Sequence, residues 1–217
     1  TTRMTTAAKL RECLAKAQDY LARKNAAGKD ISKKPAYDMK LEALIPVLQG
    51  EIPLKAHAHR ADDIFTAIRI AKEFNVRLTI EHCTDGHLIA DELAKEGYPL
   101  AVGPSWMSAS KPEVRNRTFA TPGILAKAGC QVSIITDSQV VPQEHLATMA
   151  ALAIKAGMEP FAALQSITIN PARHVGIEER VGSIEAGKDA DIIISKGSIF
   201  ELDNKIVTVL INGQPVP

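Results

Sequence analysis

One pattern governs what this chain can become. From Pro53 onward a short apolar run, a tail of polar or reactive residues and an amphipathic helix follow one another four times. The runs are PLKAHAH, RLTIEH, PLAVGP and QVSIITD. The helices behind them include ADDIFTAIRIAKEFN, HLIADELAKEG, TPGILAKAG and EHLATMAALAIKAG, each closing near a Gly or Asn, as helix C-termini favour. A strand that reaches the next strand through a helix enters the sheet in the same direction, so the units predict parallel strands and an α/β fold. Four such units are half of an eight-stranded β/α barrel, which typically takes about 250 residues.

The flanks read differently. Leu10, Leu14, Ala17 and Leu21 recur at helical spacing, which predicts a helix over 7–22. The polar stretch 25–38 carries Gly28 and Pro35 and reads as a loop, and MKLEALIPVLQG after it as a second helix ending near Gly50. Beyond the fourth unit, FAALQSITINPARHVGI predicts two short helices, the second opened by Asn170-Pro171, since proline suits a first helical turn. The tail from Val181 is β-branched and punctuated by glycine, and Asn212-Gly213 is a strong hairpin-turn signal, so a small separate sheet is expected. The expected divisions are 1–50, a helical lead-in; 51–178, a partial barrel; and 179–217, a C-terminal β segment.

Composition excludes several classes of function. With 217 residues, 46% of them hydrophobic, the chain can bury one sizeable core, and disorder is not the expectation. Lys and Arg total 26 against 25 Asp and Glu, with no basic stripe, which argues against a nucleic-acid partner. Cys13, Cys83 and Cys130 are too few and too scattered for a disulfide framework or a Cys-x-x-Cys zinc site, which fits a reducing cytoplasm. No apolar stretch reaches the roughly 18 residues of a membrane span, and TTRMTTAAKLRECLAKAQDY has no signal-like core, so neither membrane insertion nor export is expected.

In β/α barrels the reactive side chains stand at the C-terminal ends of strands. There the runs place His57 and His59, then His82, then Asp137. Imidazoles with a carboxylate suit a divalent ion, and a carboxylate beside activated water can shuttle its proton. A lone histidine at a strand end is more often structural; three strand ends presenting such groups together favour a site. By contrast His87, His145 and His174 read as surface or structural residues. Cys83 follows His82 directly, points the other way along the strand and is expected to pack. The long loop GPSWMSASKPEVRNR offers Trp106, Glu113, Asn116 and Arg117 as substrate or supporting contacts, with an ordinary solvated loop as the alternative. GSIEAGKD has an Asp where a phosphate loop needs Ser or Thr, and nucleotide binding is rejected.

In order along the chain, KAHAHRADDI, TIEHCTDG, SIITDS and GSIEAGKDADIII resemble consecutive signatures of the amidohydrolase superfamily, near imidazolonepropionase and the metal-dependent prolidase-like enzymes. The Leu41–Gly50 segment, Gly103-Pro104 and TINPA match in order as well. The resemblance implies strands five to eight of a (β/α)8 TIM-like metal-dependent hydrolase barrel, followed by a β segment of a small composite β-sandwich domain. It implies that His57 ligates a metal, and that His82 binds a second metal or polarises the substrate carbonyl. Asp137 would touch metal and act as general base. His59, at the strand mouth, is a substrate or supporting residue.

The implied cofactor is a divalent metal, zinc first, with iron or manganese as alternatives. The implied reaction is hydrolysis of a C–N bond in a cyclic amide or peptide-like small substrate by water activated at that metal. The family's His-x-His of the first strand, and its lysine or histidine of the fourth, have no counterpart among these residues. The chain is therefore expected to be incomplete for activity, and a half-barrel serving as a structural or assembly module is the competing reading. Open sheet edges and an apolar face predict self-association or complementation by an N-terminal half.

Overall fold

The structure, a computed structural model, describes residues 2–108 and 110–216. They form two compact units, Thr1–Ala56 with Asp62–Thr79, and His57–Ala61 with Ile80–Pro217.

The first unit is led by the helix Arg3–Ala27. It is longer at both ends than the apolar spacing alone predicts. Thr2 caps it, its side chain accepting from the Thr5 amide at 3.1 Å, and Gly28 stops it at φ 52. Leu14 and Ala17 are fully buried, while Tyr20 is buried and directs its hydroxyl to Glu42 at 2.7 Å, which Lys24 also contacts. The expected second helix is two short turns instead, Met39–Glu42 and Ile45–Leu48. Pro46 has no N–H to continue the ladder from the first turn into the second. The loop before them holds a 3-10 turn, Ile31–Lys33. Most of the helix Ala61–Phe74 belongs to this unit and buries Ile64, Ile68, Ile70 and Phe74.

The four repeated runs become β1 (Leu54–Ala58), β2 (Leu78–His82), β3 (Leu100–Val102) and β4 (Val132–Ile134), in that spatial order. β2 pairs with β3 and β3 with β4 in parallel, Glu81 opposite Ala101 and Ala101 opposite Ser133. β3 and β4 are buried at every position, which is why they read as unbroken apolar runs rather than an alternation. Helices Ala90–Glu96, Thr121–Lys127 and Leu146–Lys155 follow their strands as expected. A core of Ile134, Val141, Met149, Ala153, Met158 and Ala163 packs beside the last strand.

The two short helices are Pro160–Ser166 and Ile169–Val175, so Pro171 falls in the first turn of the second, slightly inside the predicted start. The tail forms the antiparallel sheet β5 (Ile192–Lys196), β6 (Lys205–Ile211) and β7 (Gln214–Val216). Asn212 and Gly213 join the last two at φ 50 and 73, the doubly left-handed turn their sequence predicts.

Candidate metal centre

Every residue of the site belongs to the second unit. His57 and His59 are two apart at the end of β1, so their side chains leave the same face, and their Nε2 atoms lie 3.1 Å apart. His82, the last residue of β2, places its ring centroid 4.0 Å from that of His57 and 4.8 Å from that of His59. His59 and His82 are buried; His57 faces outward.

Two hydrogen bonds orient the buried rings. His82 Nδ1 donates to the Gly103 carbonyl at 2.7 Å, which puts a proton on Nδ1 and, in the neutral ring, leaves Nε2 with a bare lone pair. His59 Nδ1 meets the Thr84 hydroxyl at 2.8 Å. Gly103 must be glycine here. Its φ is 133, and an added Cβ would run into the Ile135 carbonyl oxygen.

The electrostatics shift His57 and His59 toward the neutral form. Burial pushes His59 down to about 4, with the neighbouring His82 and Lys111 adding to the effect. His57 is lowered in the same direction, chiefly by burial and then by His82, while Asp137 opposes the shift and so acts on the same ring. Asp137 lies three residues past β4, exposed and at φ 50 in a turn closed by the bond from Val140 N to its carbonyl at 2.9 Å. His82 and Cys83 also have positive φ, 72 and 47. Non-glycine residues held in this region cluster at functional sites.

Neutral imidazoles are what a divalent ion requires. Two nitrogens bonded to one zinc at 2.0–2.1 Å stand about 2.9–3.4 Å apart when they are adjacent ligands, and the His57–His59 separation falls in that range. Among the described residues, no group of three or more His, Cys, Asp or Glu side chains is arranged to hold an ion by itself. The donors fit part of a coordination sphere.

This arrangement has counterparts. The chain matches the amidohydrolase family over residues 39–216. It belongs to that family. An amidohydrolase from Thermotoga maritima has the same fold over 99% of this chain, with a TM-score of 0.94 and 39% identity. A prolidase solved with N-methylphosphonate-L-proline shares the fold at 18% identity and a TM-score of 0.62 over 83% of this chain. Adenine deaminase 1 of Latilactobacillus sakei is 28% identical over 181 residues, 81% of this chain. The chain spans 56% and 49% of the two solved structures and 29% of the deaminase. The expected half of an amidohydrolase barrel, with a separate small sheet, is thus the observed fold.

The residues of the long loop 103–117, the roof loop, are placed less uniformly. Arg117 is committed to the carbonyls of Met107 and Ser108 and so clasps its own loop. Asn116 donates to Asp85 at 3.0 Å. Glu113 pairs with Lys111 at 3.1 Å, and half-exposed Trp106 stands 5.9 Å from the His145 ring. A shallow recess, open to solvent, lies beside His82 and is lined by Thr84, Gly103, Ser105, Arg117 and Thr121.

His174 is structural, bonded through Nε2 to Glu81 at 3.0 Å. Cys83 is fully buried, its thiol pushed up to about 12 by burial, and it packs as its position predicts. Thr84 and Asp85 lie within TIEHCTDG, and Gly103 within the Gly103-Pro104 match, but sequence gives none of the three a role, because their partners stand more than twenty positions away.

Proposed function

We propose that this chain supplies one side of the active centre of a metal-dependent amidohydrolase that hydrolyses a C–N bond at a trigonal carbon of a small molecule. The observation that carries the reading is the cluster of three imidazoles from two strand ends, with the Asp137 charge acting on the same ring. His57 and His82, with Asp137, would hold the ion, and further donors would come from a part of the family fold that these residues do not include. When bound, a divalent cation, zinc first among the candidates, lowers the pKa of a water ligand and polarises a carbonyl-like bond.

The chain's own residues account for the rest of the chemistry. His82, fixed by Gly103, offers its bare Nε2 as a directed donor atom. Exposed Asp137 can take a proton from the attacking water on a carboxylate oxygen and return it to the leaving nitrogen. The recess beside His82 is about the size of a single water molecule, and its threonine and serine hydroxyls suit a polar atom there.

A cyclic amide or a peptide-like bond and an exocyclic ring amine share this chemistry, and the deaminase relative supports the last of these. The test is metal content and turnover of the full-length polypeptide carrying these residues, assayed on adenine, on prolyl dipeptides and on cyclic amides. Turnover of one class, lost at least a hundredfold in Asp137→Asn, supports the reading. A protein with stoichiometric metal that turns over none of them overturns it.

A second reading concerns partners. Ile193, Ile194, Ile206, Val207 and Ile211 of the small sheet are all at least 47% exposed. We propose that the complementary segment of the family fold covers them, or failing it a second copy. A monodisperse monomer in sedimentation, unchanged by that segment, would count against this. No helix among the described residues is long and apolar enough to cross a membrane. The free cysteines fit a cytoplasmic setting.

A further inference from the structure

The dipeptide Thr84-Asp85, just past β2, grips His59 from two directions. Thr84 Oγ1 stands 2.8 Å from His59 Nδ1, and the Asp85 amide donates to the His59 carbonyl at 2.8 Å. The Asp85 carboxylate then spreads the grip. One oxygen accepts from the Ala61 amide at 3.2 Å, where the chain enters its helix; the other accepts from Asn116 of the roof loop at 3.0 Å. Both residues are buried, with 8% of their surface exposed.

The geometry sets a constraint on protons. Two ring nitrogens 3.1 Å apart, His57 Nε2 and His59 Nε2, are in repulsive contact unless a proton or a cation lies between them. With its proton on Nδ1 toward the Thr84 oxygen, His59 keeps Nε2 bare, ready to accept either. With its proton on Nε2, it would fill the gap and obstruct a cation.

We propose that Thr84 is a positioning residue of the centre, holding His59 as the Nδ1–H tautomer so that its bare Nε2 faces His57, with Asp85 fixing the backbone and the roof loop around it. The inference rests on the metal-centre reading for its purpose but not for its test. It assigns His59 a donor atom, and it assigns roles to two residues that carry none of the motif chemistry. Hydrogen bonds of this kind to ligating histidines fix tautomer and orientation, and their loss typically weakens metal binding 10- to 100-fold.

The experiment reads the tautomer directly, by nitrogen-15 NMR of the imidazoles in the metal-free full-length polypeptide. Zinc competition titrations accompany it. In the wild type His59 is expected as Nδ1–H. Thr84→Val, close to isosteric, should move its population toward Nε2–H and weaken zinc binding at least tenfold, and Thr84→Ser should restore both. Urea midpoints of the variants establish that each is folded. A Thr84→Val protein whose His59 remains Nδ1–H, or whose zinc affinity stays within twofold of wild type, overturns the proposal. Failure of the wild type to bind zinc sinks the metal reading instead, and the tautomer then decides the role of Thr84 alone.

Discussion

The two sheets of this chain are built from similar residues and meet opposite fates. β3 and β4 are buried at every position, and Leu100 and Val132 are 0% and 1% exposed. In β5 to β7, no residue is fully buried, although Ile192, Ile193, Ile194, Val207, Val209, Leu210 and Ile211 are as apolar as anything in the first sheet. Apolar β-branched sequence therefore specifies the strand, not its burial. The parallel strands carry their covering helices with them in the repeated unit, whereas the antiparallel tail brings strands alone.

The comparison can be broken at four points. The largest effect is expected at Gly103→Ala. Forcing a Cβ onto a φ of 133 and into the Ile135 carbonyl should cost about 4 kcal/mol, read as a lowered urea midpoint, and should release the His82 ring from its carbonyl partner. Ile80→Ala, at a position with no exposed surface in β2, should cost about 3 kcal/mol.

Third comes acid. His59 is held neutral in the fold down to about 4, from an ordinary value of 6.5. The unfolded chain takes up this proton first, so the His59 contribution to metal-free stability should fall as pH drops below about 6.5 and level off below about 4, a total of about 3 kcal/mol. His59→Gln should flatten that part of the profile. The smallest effect is expected at Ile206→Ala in the second sheet, 53% exposed in the single chain, which should stay within about 0.5 kcal/mol wherever neither the complementary segment nor a second copy covers it. A loss there rivalling that of Ile80→Ala would show that the small sheet is covered in solution.

Much of this was legible from sequence because it is periodic or local. The four strands, their helices and the Asn212-Gly213 turn follow from patterns within ten residues. His57, His59 and His82 could be brought to one place because barrel strands present their ends together. What escaped depends on contacts across the sheet. Gly103-Pro104 stands out in the sequence only as part of the family resemblance, yet the Gly103 carbonyl is the partner of His82, 21 positions away. The loop offers Asn116 as a substrate or supporting contact, and only the contact of its amide with Asp85, 31 positions away, shows which partner it has in the fold. The break at Pro46 was missed because the apolar spacing around it is unaffected by a lost N–H.

Cys83 adds a practical consequence. Its thiol is sealed beside the β2 terminus, with Gly86 and Leu125 packed so closely that an added Cβ at Gly86 would meet the sulfur at 2.7 Å. An alkylating reagent needs the thiolate, and a group pushed up to about 12 supplies almost none near neutrality. Modification must therefore wait for this corner to open, whereas exposed Cys13 is open to the reagent throughout. The chain carries its own clock for local unfolding at the candidate centre, with a reference hand on the first helix, and anything that fastens the centre should slow one hand and leave the other running.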